Sequence, residues 1–354
     1  AASDYGLGGS VKPQENIVIG LNSFARAFDG MLQLRAEAAG SVFTSDLYGE
    51  GAKLNSVPGF IENLFATRVT SSADYSMNLG FMLNQQSVNV RGNYSYIGPG
   101  YISHGLSSSF NDKRTFDLNL GFNLLDNRVV IQSNFQTQSD NVNHQKPYTT
   151  SGLTYGATAS ARPSNDLMLT LNMMRNVVSN NIANDTLMVK SINSSYNATV
   201  VWQFQLFDMD NTLTNNYALQ MTEDENALRR NMGLKSHNIV STLNTSISKE
   251  WSVSPGFSIT YVDMGIAGSY STSTINFRAS NRSFAGALSN SLSAGFTSSQ
   301  LNQAINGSFQ SVLNLKTYGA LSLSINLNIN EIKSTTPQRF SEKTARLSYT
   351  YRLR

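Results

Sequence analysis

Leu321-Ser322-Leu323-Ser324-Ile325-Asn326-Leu327-Asn328-Ile329-Asn330 alternates apolar and polar residues without a break. In a strand, successive side chains point to opposite faces, so this stretch has one apolar and one polar face. A helix would place every third or fourth residue together and mix the two sets. The same period runs through Phe116, Leu118, Leu120, Phe122 and Leu124, which alternate with Asp117, Asn119, Gly121 and Asn123. It recurs over 75–83, 88–96, 167–173, 196–206, 213–221 and 347–353. Strands in soluble sheets are usually about 5–6 residues long, whereas several of these runs reach about ten. Ten residues rising about 3.3 Å each and tilted by about 40° climb about 25 Å, the height of the apolar band of a membrane barrel.

Punctuation supports the same architecture. Turn-like breaks fall at Asn84-Gln85-Gln86, Asp126-Asn127, Pro163-Ser164-Asn165-Asp166, Asp208-Met209-Asp210, Lys249-Glu250-Trp251 and Lys316-Thr317-Tyr318-Gly319, with room for one more hairpin around Asn281-Arg282. Longer polar segments lie between them, over 97–113, 138–147, 178–186, 223–235 and 333–343. Tight turns alternating with longer loops are the asymmetry of transmembrane barrels, with short periplasmic turns and longer external loops. A propeller of similar repeat length would divide each period among four short strands, and here two long ones fill it. The expected fold is all-β: one antiparallel transmembrane β-barrel domain over 1–354, of about 16 strands (14–18). Residues 5–11 are a candidate first strand, and the Ser-rich stretch 265–302 leaves the count open. Residues 46–73 form an insertion, either an external loop or a segment folded into the lumen, with a candidate short helix at 58–65.

Composition agrees. Asp, Glu, Lys and Arg make up 14% of the chain, against about 25% in soluble domains. Apolar residues make up 40%, and 10% of residues are aromatic, too many for a disordered chain. The quoted apolar faces carry no charge. A Lys or Arg facing lipid at mid-depth would cost about 2–4 kcal/mol, and unpaired backbone in a bilayer costs several more per group, so closure of the sheet is expected on physical grounds. No apolar run approaches the roughly 18 residues of a transmembrane helix. Ala1-Ala2-Ser3-Asp4 opens without a basic segment or apolar core, as expected of a processed chain or of a piece of a longer one. The absence of Cys excludes disulfides, thiolate metal sites and a Cys nucleophile, and a net charge of +3 gives no footprint for nucleic acid.

Tyr96-Ile97-Gly98-Pro99-Gly100-Tyr101-Ile102-Ser103, followed by Asn111-Asp112, and the terminal Arg346-Leu347-Ser348-Tyr349-Thr350-Tyr351-Arg352-Leu353-Arg354 resemble segments of the outer-membrane β-barrel proteins of Bacteroidota. The terminal Tyr-x-Tyr strand resembles a barrel-assembly signal, although many such barrels end in Phe or Trp where this chain ends in Arg354. The resemblance implies a role as a porin, a TonB-dependent transporter, or a subunit of a secretion or barrel-assembly complex. Nothing here looks like a TonB box with a plug.

No catalytic, cofactor or metal site is expected. His104, His144 and His237 have no metal-ligand spacing, and a Ser–His–Asn or Asp–His set drawn from separate strands would leave no sequence signature. Asp208-Met209-Asp210 and Glu223-Asp224-Glu225 could hold Ca²⁺, but a turn and a loop beside Arg229-Arg230 account for them as solvated charge. Gly6-Leu7-Gly8-Gly9 precedes no helix and cradles no phosphate. Trp251, Tyr94, Tyr96, Tyr349 and Tyr351 read as interfacial aromatics, and Trp202 as a barrel-surface one. The polar faces are Ser-, Thr- and Asn-rich, with no ring of one charge. The expected function is a non-enzymatic subunit of a larger envelope complex, of the protein-export or outer-membrane-assembly type, with outer-membrane lipid and other envelope proteins as partners. A passive channel for small polar solutes is the alternative, and a barrel hydrolase the third class.

Overall fold

A computed structural model describes residues 12–52, 65, 67–103, 111–315, 318–333 and 338–351. The candidate strand 5–11 and nearly all of the candidate helix 58–65 lie outside the described residues. The rest is strand: β1 (Glu15–Ala27), β2 (Leu32–Thr44), β3 (Ser71–Gln85), β4 (Val88–Ile97), β5 (Lys113–Leu124), β6 (Val129–Asp140), β7 (Thr150–Ser164), β8 (Leu167–Asn180), β9 (Lys190–Leu206), β10 (Met209–Asp224), β11 (Leu234–Ser246), β12 (Trp251–Asp263), β13 (Ser269–Ser283), β14 (Leu288–Ser299), β15 (Asn302–Asn314), β16 (Ala320–Ile332) and β17 (Gln338–Thr350). All 17 belong to one sheet, within the expected range. Lengths run from 10 to 17 residues.

Each strand is antiparallel to the next, by ladder pairing from β1 to β5 and from β9 to β17. Side-chain and backbone bonds fix the register between, as in Asp117–Gln136, Asn141–Thr149, Thr158–Asn172 and Asp166–Gln203. The chain divides into two compact units, Ala1–Asn123 with Gln132–Tyr155 and Asn176–Lys190, and Leu124–Ile131 with Gly156–Arg175 and Ser191–Arg354.

At one end the connections are tight throughout: 28–31, 86–87, 125–128, 165–166, 207–208, 247–250, 284–287 and 315–319. At the other end they shorten along the chain, from 45–70 and 98–112 through three loops of middling length to 264–268, 300–301 and 333–337. Phe207 and Asp208 both have positive φ (52° and 57°), the twist that a two-residue hairpin needs.

Several boundaries differ from the sequence reading. Segment 338–343, expected as loop because of its charges, is the start of β17. Its Arg339 lies opposite Glu331 of β16, so opposite charges pair across the ladder. Strands also run on into the expected loops, to Asp140 and Asn180, because those ends are strand-paired but polar. Ser-rich 265–302 resolves into β13 and β14, with the extra hairpin at 284–287 rather than at Asn281-Arg282. Pro255 lies inside β12, where its missing N–H leaves a gap in the β11 ladder between Thr242↔Gly256 and Thr245↔Val253. Ser254 Oγ donates to Asn244 Oδ1 across that gap (2.5 Å).

The sheet has almost no interior of its own. Large apolar side chains stand exposed along the strands, among them Leu21 (74%), Leu171 (61%), Ile275 (59%) and Leu347 (68%). Burying such a side chain is worth about 1.5–3 kcal/mol, so a water-soluble sheet would cover them. Among the described residues one apolar cluster joins Val42 and Phe65, with Ile17 and Ala73 against them, on the apolar face of β1–β3 near its loop end.

Candidate functional site: the polar face and its loops

Register sorts every strand residue onto one of two faces. On the apolar face, Leu34 of β2 lies opposite Phe81 of β3, Leu79 opposite Tyr94 of β4, and Phe309 of β15 opposite Ile325 of β16. The turn-proximal half of this face carries no charged residue among the described residues. Its charges, such as Arg114, Glu223, Lys235, Asp263 and Lys343, all lie in the loop-proximal half. Aromatics border the band: Trp202 packs on Phe204 (centroids 4.6 Å) near the turns, and Tyr75 stacks on Tyr96 (4.9 Å) towards the loops. His237 belongs to this border, accepting or donating a 2.8 Å bond with Tyr217 Oη. A shallow cavity of about 490 Å³, lined by Ala25, Ala36, Leu79, Phe81, Tyr94 and Phe116, opens on the apolar face of the first unit.

The fold is that of an integral outer-membrane β-barrel. Strand length, uninterrupted antiparallel order, turn–loop asymmetry and an exposed apolar band whose turn-proximal half is free of charge together require a lipid surround.

The polar face of the second unit carries a series of neutral pairs alongside scattered charges such as Arg278, Arg282 and Arg346. Thr199 pairs with Asn216, Asn238 with Thr260, Ser252 with Ser280, Thr274 with Thr297, Ser293 with Ser308 and Ser322 with Ser348. Each pair is directly opposite in the ladder and bonded at 2.6–3.0 Å. Between the pairs lies a cavity of about 660 Å³ lined by Asn244, Asn276, Arg278, Asn306, Asn326 and their neighbours. Self-paired hydroxyls and amides retain spare donors and acceptors for water or solute while adding no charge.

In the first unit a loop lies on the polar face. Gly100 N–H donates to Asp74 Oδ2 (3.0 Å), and Asn16 Nδ2 donates to Ile102 O (3.0 Å). Ser41 Oγ, 2% exposed, bonds both the N–H and the carbonyl of Ile102. A Cβ at Gly98 would sit 2.1 Å from Asp74 Oδ1, so only glycine admits this approach. The Gly98-Pro99-Gly100 motif therefore lays residues 98–102 across Asn16, Ser41 and Asp74. The next loop is fastened beside it. Asp112, 4% exposed, pairs with Lys146 and accepts Val142 N–H at 2.9 Å. Burial opposes ionisation of Asp112, but the Lys146 pair and the Val142 N–H outweigh it and hold the carboxyl below its ordinary range. The same pair raises Lys146. Buried Asn141 closes the loop by donating to Lys146 O (3.1 Å) and Tyr148 O (3.2 Å).

The carboxylate pairs weighed as Ca²⁺ sites have other partners. Asp210 accepts from Gln205 (2.9 Å), and Asp224 pairs with Arg229 (3.0 Å). Among the described residues no three metal-ligating groups converge. His144 lies in the 141–149 loop at positive φ, and His104 lies outside the described residues.

No family model matches the chain, and no curated protein matches its sequence. Solved structures of similar arrangement include the alcaligin outer-membrane receptor FauA of Bordetella pertussis, at TM-score 0.48 and 10% identity, covering 96% of this chain and 65% of that one. The ferripyoverdine receptor of Pseudomonas aeruginosa gives 0.45 and 9%, over 96% and 58%. The outer-membrane protein OpdK of the same organism gives 0.38 and 10%, over 95% and 93%. The chain thus spans less than two thirds of the length of the two receptors.

Proposed function

We propose that this outer-membrane barrel is a non-enzymatic passive channel for small polar solutes. The observation that carries the reading is the series of neutral pairs on the polar face, whose unused donors and acceptors match those of water and uncharged polar molecules. In this reading residues 98–102, fastened across Asn16, Ser41 and Asp74, would line the loop end of the solute path. The purified full chain, reconstituted in planar bilayers, is expected to give discrete conductance steps. Silent bilayers containing correctly inserted protein would overturn the reading.

A second reading, a subunit of an envelope complex for protein export or outer-membrane assembly, is favoured by Lys343. It stands on the apolar face opposite Leu327, inside a band that is otherwise free of charge at that level of β16. A partner carboxylate there would complete it. Mild-detergent capture of the chain from native membranes tests this: stoichiometric envelope proteins support it, and a solitary barrel refutes it. Under either reading the Bacteroidota-type affiliation rests on the Gly98-Pro99-Gly100 segment and the terminal Tyr349-Thr350-Tyr351 strand.

A further inference from the structure

Arginines distant in sequence meet on the polar face of β1–β4. Arg26 lies opposite Gln33, Gln33 opposite Met82, and Met82 opposite Arg91, so Arg26 and Arg91 share one ladder row. Arg35 sits in the adjoining row, opposite Gly80, which in turn faces Asn93. At about 4.8 Å per strand the row spans about 15 Å, within reach of long guanidinium side chains from its two ends. All three are exposed.

Their charges are unequally answered. Arg35 pairs with Glu37. Asp117, facing Asn93 on β5, accepts from Gln136. Arg26 lies over the Phe24 ring at 4.8 Å, and Arg91 Nη2 contacts Met82 Sδ at 3.7 Å. Among the described residues neither Arg26 nor Arg91 has a carboxylate within ion-pair distance, so the patch keeps an excess of positive charge. Gly80, beside Arg35 and diagonal to Arg91, leaves the floor open: a Cβ there would meet Asn93 Oδ1 at 3.4 Å and Arg35 Cβ at 3.9 Å.

We propose that Arg26, Arg35 and Arg91, with Asn93 and the Gly80 floor, form a subsite for small water-soluble oxyanions, namely carboxylates or phosphates. Guanidinium forks donate in the geometry that such groups accept, and basic side chains lining a pore favour anions. The subsite gives the proposed channel a solute class and rests on that reading for its role, though not for its binding.

The tests separate the two. Inorganic phosphate is added to the detergent-solubilised full chain and followed by ³¹P line broadening. Broadening is expected with the native chain and with Arg282→Gln, which removes one polar-face arginine elsewhere. Loss is expected with the double variant Arg26→Gln/Arg91→Gln, and weakening with Gly80→Val, which fills the floor and removes no charge. Each variant is first checked for β-sheet circular dichroism. Broadening that survives in the double variant, or falls equally in Arg282→Gln, overturns the subsite. In bilayers under a KCl gradient, the native chain should prefer chloride and the double variant should lose that preference; unchanged selectivity also overturns it. Phosphate binding without conductance would keep the subsite and refute the channel.

Discussion

Assignment of the two faces can be tested at adjacent residues of one strand. The apolar band of β16 runs from Leu321 to Ile329, with Glu331 beyond it, so Ile325 lies at its centre, 46% exposed, between Phe309 and Ala345. Asn326, the next residue, faces the other way and donates to Thr344 at 3.3 Å. An arginine at the bilayer midplane on the lipid side costs about 2–4 kcal/mol, while a weak surface hydrogen bond contributes about 0.5–1.5 kcal/mol. Ile325→Arg should therefore lower the folded-to-unfolded ratio by about 30- to 1000-fold, at about 1.4 kcal/mol per decade, and Asn326→Arg by about tenfold or less. Reversible urea unfolding in lipid vesicles, followed by tryptophan fluorescence from Trp202 and Trp251, measures both. Equal losses, or a larger loss at Asn326, would refute the lipid-facing assignment.

Three further outcomes are expected. The folded carboxyl of Asp112 is lowered, so its contribution is complete above the unfolded value of about 3.9 and is lost as pH falls through the folded one. That of Lys146 is complete below about 10.4 and is lost as pH rises through its raised value. Amide exchange of Val142, corrected for intrinsic rate, should accelerate at both extremes, and Asp112→Asn should abolish the acid limb. Gly92→Leu should destabilise by about 1–3 kcal/mol, because a Cβ there would come within 2.1 Å of the Phe81 ring that covers this glycine; Phe81→Ala in the same chain should relieve part of the loss in urea titration. Thr245→Val removes a 2.7 Å donor to buried Asn211 Oδ1 and should cost about 1–3 kcal/mol by the same titration.

Much of the fold could be read from the period of two, because lipid on one side and water on the other impose it on every residue of the band. Strand ends were harder. Beyond the band both faces meet water, so Ser139, Asn180 and Arg339 have the composition of loop although they are ladder-paired. The tucked loop left only a hint in Gly98-Pro99-Gly100, since its anchors, Asn16, Ser41 and Asp74, come from three other strands. The arginine patch left none. Arg35 and Arg91 are separated by a long connection, and only the registers of two strand pairs bring them near each other.

Charge is therefore informative here chiefly through register. On the apolar face, water must be reachable from each charge, and the charges have withdrawn to the loop-proximal half, where a Lys343 stem can carry its ammonium outward. On the polar face lipid imposes no such constraint, and a charge could stand at any level. In the second unit, hydroxyls and amides make up most of the polar lining of the cavity, and the arginines of that face, Arg278, Arg282 and Arg346, stand in separate rows, whereas the first unit gathers Arg26, Arg35 and Arg91 around a glycine. Lipid exclusion explains the first distribution. It does not explain the second, so the uneven polar face is where selection for a solute would be written.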